Sequence, residues 1–189
     1  EPLLRHGLAD IIAGASALRT DEGLAPELSL TTNGLGLDKK IDHLAAAGLQ
    51  RVNISLDSLD RQRYAALARR DRLDDVLRGL SAVARAGLSP IKVNTVVMRG
   101  VNEDDVRPLL EFCLQHGYQL RFIEQMPLGP KHGWDRRQMV PASEILANLR
   151  GHFELSPAPA RGSAPAEEWL VTASDCHPAG RVGVIASVT

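Results

Sequence analysis

Over residues 28–126 the chain repeats one phrase: a short apolar run, a polar turn, then apolar residues at helical spacing. Runs of four to eight apolar residues suit strands, and a three-to-four residue period suits amphipathic helices. Residues 28–31 predict a first strand that breaks at Thr32-Asn33-Gly34, and Ile41, Leu44 and Ala45 predict a helix over 39–47 ending at Gly48. A second strand is predicted over 51–56, with Asp60 at the N-cap position of a helix over 61–68. Val76, Leu77, Leu80, Val83 and Ala84 share one face of a helix over 73–86 that stops at Gly87. A third strand over 91–98, a helix over 103–116 with Gly117 as its stop, and a fourth strand over 119–124 complete the series. Strands separated by helices predict parallel pairing, in a barrel or a doubly wound sheet.

Beyond Met126 the repetition ends. Residues 127–137 read as a loop rich in Gly, Pro and charge, and residues 140–149 as one more helix. The tail, 153–189, carries β-like segments at 169–171 and 182–185 and a flexible Pro/Ala/Gly stretch at 157–166. This divides the chain into residues 1–126, an α/β array, and residues 127–189, an appended lobe without a core of its own.

Composition narrows the function classes. The chain has 189 residues, 44% hydrophobic and 24% charged, enough apolar material for one sizeable core. With 22 basic and 23 acidic residues the net charge is -1, so no general field favours nucleic acid or an anionic membrane. An anionic ligand must be met by a few placed cations. No apolar run reaches membrane-spanning length and no leader opens the sequence, which predicts a cytoplasmic protein. Cys113 and Cys176 are too few for a disulfide framework or a four-thiolate metal site, so no metal site is assigned within the chain. Glu1 in place of an initiator Met, and a strand pattern still running at Thr189, give both ends the look of cuts.

In parallel βα architectures ligands gather at the carboxyl ends of strands. Here those ends are polar: Thr31-Thr32-Asn33 on the first, Asn53 and Ser55 before Asp57 on the second, Lys92 and Asn94 on the third, and Arg121, Glu124 and Met126 on the fourth. A Lys and an Arg on two strands of an otherwise apolar core are costly unless they meet an anion. Together they suit a phosphorylated ligand. Plainer readings stand beside this one: Lys92 as an exposed edge residue, Arg121 as a bridge to Glu124 or Asp57, Met126 as core filler, and the Thr31 and Ser55 hydroxyls satisfied on nearby backbone.

Glu1-Pro2-Leu3-Leu4-Arg5 is similar to the end of the Gly-Gly-Glu-Pro segment of radical S-adenosylmethionine (SAM) enzymes. There follow, in order, Leu30-Thr31-Thr32-Asn33-Gly34, Arg51-Val52-Asn53-Ile54-Ser55-Leu56-Asp57-Ser58-Leu59, Lys92-Val93-Asn94-Thr95-Val96-Val97-Met98-Arg99-Gly100 and Leu120-Arg121-Phe122-Ile123-Glu124-Gln125-Met126-Pro127. This succession closely resembles the molybdenum cofactor biosynthesis protein A family, the radical SAM GTP cyclases, from Glu1 to Thr189 and most loosely over 138–176.

The resemblance implies a partial parallel (βα) barrel, its first strands lying before Glu1, with a carboxy-terminal lobe. It implies that Thr31 and Lys92 contact GTP with Arg121 as a further phosphate partner, that Ser55 and Met126 contact SAM, and that Glu1 accepts hydrogen bonds from the SAM ammonium group. In such enzymes a reduced 4Fe-4S cluster cleaves SAM to a 5′-deoxyadenosyl radical, which takes a ribose hydrogen from GTP before ring closure to the pyranopterin precursor. An electron donor and a second copy of the chain are the protein partners it allows. The family's two three-cysteine motifs would fall before Glu1 and after Thr189, so the segment alone is expected to be inactive. No catalytic residue is assigned. Cys113, in step with Leu109 and Leu110, reads as a buried apolar residue, and Cys176-His177 as an incidental pair. Two other readings remain open: a different radical SAM maturase, against which the Lys92 and Arg121 contexts argue, and a non-catalytic nucleotide-binding βα module.

Overall fold

In the computed structural model the described residues are 1–126, 136–159 and 166–187. Most of the loop expected at 127–137, the middle of the stretch at 157–166, and the last two residues lie outside them.

The elements run α1 (Leu8–Ser16), β1 (Ser29–Thr32), α2 (Ile41–Ala46), β2 (Arg51–Ser55), α3 (Arg61–Ala68), α4 (Leu73–Arg85), β3 (Ile91–Val97), α5 (Val106–His116), β4 (Gln119–Glu124), α6 (Ala142–Arg150), β5 (Leu155–Pro157), β6 (Glu167–Val171) and β7 (Gly180–Ile185). The chain forms two compact units, one of residues 1–55 and 72–92, the other of residues 56–71 and 93–189.

In the first unit β1 and β2 pair in parallel, with Leu30 opposite Val52 and Thr31 opposite Asn53. Alternation turns Leu30, Thr32, Val52 and Ile54 inward and leaves Thr31 and Ser55 open to solvent. The inward residues form a core with Leu37, Ile41 and Leu44 and with Val76, Leu80 and Val83 of α4. The turn after β1 is held tightly. Gly34 has φ +79°, which a side chain would strain, and a Cβ there would lie 3.2 Å from both Ile54 and Val76. Across from it, a Cβ on Gly79 of α4 would lie 2.9 Å from the Gly34 carbonyl oxygen, so helix and turn meet backbone to backbone.

In the second unit β4 pairs in parallel with β7, and β7, β6 and β5 continue antiparallel. The tail expected as an appended lobe is thus joined to β4 through β7. Val106, Leu109, Leu110, Cys113 and Leu114 are the buried stripe of α5, and they share the core with Leu120, Phe122, Ile145, Leu149, Val182 and Val184. Gly117 closes α5 in the left-handed region at φ 71°, and the Arg150 guanidinium at the end of α6 lies 4.7 Å from the Trp169 ring centre on β6.

Local chemistry moves some boundaries. The helix expected over 39–47 is a single turn over Leu37–Lys39 followed by α2, because Lys40 leaves helical geometry at φ -120°. The helix expected over 103–116 opens with a separate turn, Glu103–Asp105. The helix expected from 140 starts at Ala142, since Pro141 caps it in an extended conformation and biases Val140 the same way. α1, β5 and the turn at Pro2–Leu4 have no counterpart in the sequence reading. Among the described residues no helix is long and apolar enough to cross a membrane.

Candidate functional site

The carboxyl end of β1 carries a polar cluster built around Glu1. Its Oε1 accepts from the Thr32 hydroxyl at 2.6 Å and the Leu3 N–H at 3.1 Å, and its Oε2 accepts from the Asn33 N–H at 2.8 Å. Burial pushes this carboxyl up, but the three hydrogen bonds together with the positive amino group of residue 1 outweigh it and hold the pKa below the ordinary glutamate value. The Thr32 hydroxyl, on a residue only 3% exposed, also accepts from the Gly34 N–H at 3.1 Å. Glu1 therefore ties the start of the chain to the exit of β1, a link across 31 residues.

Beside this closed cluster lies an open one. Thr31 and Asn53 face each other in register, and the Asn53 amide Nδ2 donates to the Thr31 Oγ1 at 3.1 Å. Ser55, the last residue of β2, exposes its hydroxyl on the same face of the strand as Asn53. Lys92, also in the first unit, is 8% exposed in β3. Its expected alternative as an exposed edge residue is thereby corrected: a lysine this buried needs its ammonium matched by an anion or acceptor.

In the second unit the loop after β2 is bound to β3 through side chains. The Asp57 carboxylate accepts from the Val96 N–H at 2.9 Å, the Thr95 hydroxyl donates to the Leu56 carbonyl at 2.6 Å, and the Leu56 N–H donates to the Asn94 carbonyl at 3.0 Å. Asn102, 1% exposed, donates from Nδ2 to the Asp57 and Val96 carbonyls and accepts the Met98 N–H on Oδ1. Burial raises the Asp57 pKa above the ordinary aspartate range, against the lowering effect of the Val96 N–H.

Arg121 and Met126 also belong to this unit. Arg121 leaves the face of β4 opposite to Leu120, Phe122 and Glu124, which are buried. Both oxygens of Glu124 accept from backbone: Oε1 from the Ala142 N–H at 2.5 Å and Oε2 from the Ser187 N–H at 2.6 Å. Met126 lies two residues past the end of β4 and is half-buried. Two side-chain acceptors, Asn94 Oδ1 and Gln125 Oε1, are buried without a hydrogen-bond partner among the described residues.

Thr31 and Ser55 lie at the carboxyl ends of β1 and β2 as expected, whereas Lys92 is the second residue of β3 and Arg121 the third of β4, so neither stands at the carboxyl end of its strand. The fastening roles of Thr32, Asn102 and Glu124 and the acceptor on Gln125 were not anticipated from the sequence. A polar residue at an inward position of an alternating strand was the available signal for Thr32 and Glu124. Cys113 is fully buried and burial pushes its thiol far up, while Cys176 is exposed. The His177 ring lies against Phe153 at 5.1 Å.

Comparison with known proteins adds a family. A model described as the Radical SAM superfamily matches residues 1–113, and one described as Molybdenum Cofactor Synthesis C matches residues 118–189. The chain is 59% identical over 191 residues to a GTP 3′,8-cyclase of Corynebacterium glutamicum, covering 100% of this chain and 51% of that protein. It is 55% identical over 190 residues to GTP 3′,8-cyclase 2 of Mycobacterium tuberculosis, covering 100% and 52%. The chain thus spans about half the length of the curated relatives it matches. Among solved structures, a domain of pyruvate-formate lyase-activating enzyme from Bacteroides vulgatus is similar in fold, with a TM-score of 0.56 at 18% identity over 80% of this chain and 86% of that one.

Proposed function

The chain belongs to the radical SAM superfamily, and from that premise we propose that it is a segment of a GTP 3′,8-cyclase acting in molybdenum cofactor synthesis. The observation that carries this reading is the continuity of the likeness: it runs through the whole chain and passes from the first family model into the second without a break in kinship. Residues 1–126 then form the barrel part and residues 127–189 its incomplete extension.

A 4Fe-4S cluster does not fit the side chains of this segment. Among the described residues no three His, Cys, Asp or Glu gather to hold a metal. Cys113 is sealed in α5 and Cys176 has no thiolate companion. The reading puts the cluster's ligands outside residues 1–189.

SAM fits better. Each carboxylate oxygen can accept two hydrogen bonds, and Glu1 Oε2 receives one from the protein, which leaves a direction for the ammonium group. The exposed Ser55 hydroxyl offers a further donor or acceptor, and Met126 a polarizable apolar surface for adenine. When bound and reduced, SAM supplies a carbon-centred radical. The chain's residues bind and orient: Lys92 and Arg121 supply positive charge to the GTP phosphates and Thr31 a hydroxyl, while Asn94 and Gln125 offer buried acceptors to nucleoside donors. Water exclusion and alignment are the protein's share of the catalysis. The same reading gives a cytoplasmic enzyme served by an electron-donor protein, with a homodimer as its simplest assembly.

The test is anaerobic reconstitution of the complete protein with iron, sulfide and SAM. GTP-dependent SAM consumption with formation of a cyclised nucleotide is the expected result. SAM cleavage that leaves GTP and other nucleotides untouched would overturn the proposal in favour of a different maturase.

A further inference from the structure

Two threonines stand side by side at the exit of β1, and their hydroxyls are committed differently. Thr32 is closed: it donates to Glu1 Oε1 and accepts from Gly34 N–H, so both of its roles are spent inside the protein. Thr31 is open. It is exposed, and its described bond is the one it accepts from Asn53 Nδ2 at 3.1 Å.

A hydroxyl has one hydrogen and two acceptor directions. When an amide N–H occupies one acceptor direction, the hydroxyl hydrogen is turned away from that amide, toward the open side of the strand. The accepted bond also polarises the O–H and makes it a better donor. The strand register keeps the partners paired, because Thr31 and Asn53 sit directly opposite each other in a parallel ladder whose inward neighbours are locked in the core. The arrangement is therefore polar in one sense only: amide to hydroxyl to ligand.

We infer that Asn53 is a positioning residue that fixes the Thr31 hydroxyl as a donor, so that this strand end selects an oxygen acceptor of the nucleotide and disfavours a donor in the same place. This rests on the reading that Thr31 meets GTP. Asn53 acts through Thr31 and has no need to touch the substrate. An amide is the side chain suited to the task, since a carboxylate of the same shape offers no donor; it would draw the Thr31 hydrogen to itself and turn lone pairs toward the ligand.

The experiment is a double-mutant cycle on GTP affinity in the complete, cluster-loaded enzyme, followed by calorimetry with GTP and, separately, with SAM. Thr31→Val keeps the branched shape and removes the hydroxyl; it is expected to weaken GTP about five- to tenfold, the worth of one hydrogen bond. Asn53→Ala is expected to weaken GTP less and Asn53→Asp more, with SAM affinity within about twofold in both. In the Thr31→Val background the losses from both Asn53 changes should shrink by at least about threefold, which is the coupling expected of groups in direct contact. Equal losses in the two backgrounds would overturn the positioning role, even if Asn53 mattered for some other reason. Thr31→Val leaving GTP affinity unchanged would instead remove the nucleotide reading of Thr31 itself. Unfolding midpoints of the six proteins identify any loss that comes from folding, and a SAM affinity that falls in step with that of GTP would also count against the inference.

Discussion

Replacing Glu124 by Gln tests whether the end of β4 is fastened by charge. The side chain is 7% exposed and each carboxylate oxygen accepts one backbone N–H, from Ala142 at 2.5 Å and from Ser187 at 2.6 Å. Ala142 is the first residue of α6, whose first amides have no partner within the helix and whose dipole favours negative charge. Glutamine keeps the shape and one acceptor oxygen, but its NH2 must face one of the two N–H donors. One charge-assisted hydrogen bond, about 1.5–3 kcal/mol, is lost, and the stranded N–H adds a cost of about 1–3 kcal/mol that partly overlaps with it. The expected sum is about 2–4 kcal/mol. Urea unfolding of wild type and Glu124→Gln side by side measures it, and hydrogen exchange at the Ala142 and Ser187 amides locates it. A difference within about 0.5 kcal/mol, the scale of an ordinary surface change, would refute the clip.

In the complete enzyme Lys92→Ala is expected to weaken GTP by about 1.5–3 kcal/mol and leave SAM nearly unchanged, while Ser55→Ala weakens SAM by about 0.5–1.5 kcal/mol; titration calorimetry with each ligand separates the two. If both affinities fall together in Lys92→Ala alongside thermal stability, Lys92 is a structural residue. Because burial raises the Asp57 pKa in the folded chain, the ionised side chain costs stability above that pKa, and the cost disappears as pH falls through it toward the unfolded value. Asp57→Asn, which keeps the acceptor for Val96, should then be the more stable protein at pH 7, with the gap closing toward pH 4 in urea titrations; a variant less stable at both pH values would contradict this. A thiol reagent on the native chain should label Cys176 quickly and Cys113 only after unfolding, read by mass spectrometry; rapid labelling of both would show that α5 opens readily.

The elements that were legible in the sequence are those whose pattern is both long and punctuated. α4 has six buried positions spaced three or four apart or adjacent to one another, and α3 is announced by Asp60, whose carboxylate does accept the Arg63 N–H at 2.8 Å. α1 buries Ile12 alone and leaves Ile11 exposed, so it has little one-sided pattern to read, and β5 is three residues long. The turn at Glu103–Asp105 merged with α5 because its acidic residues are also what the start of a helix carries. For the site, position along a strand singled out Thr31 and Ser55. The bonds that organise their surroundings join residues far apart, Glu1 to Thr32 and Asn102 to Asp57, and such bonds leave no period in the sequence. Lys92 was legible as a residue type at a strand position, but its depth of burial emerged only from the packing.

The meeting of Gly34 with Gly79 limits how this strand end can change over evolutionary time. At position 79 no side chain stands between α4 and the turn, so the spacing there has no part that drift can trim or enlarge by small degrees. The smallest available change at position 79 is a whole methyl group placed 2.9 Å from a carbonyl oxygen, and either the helix or the turn after Thr31 has to yield to it. A new ligand preference here is thus reached more readily by exchanging outward side chains at 31, 53 and 55 than by shifting the backbone that bears them. Variation among descendants should accumulate in what the strands display, while the frame that displays it stays the same.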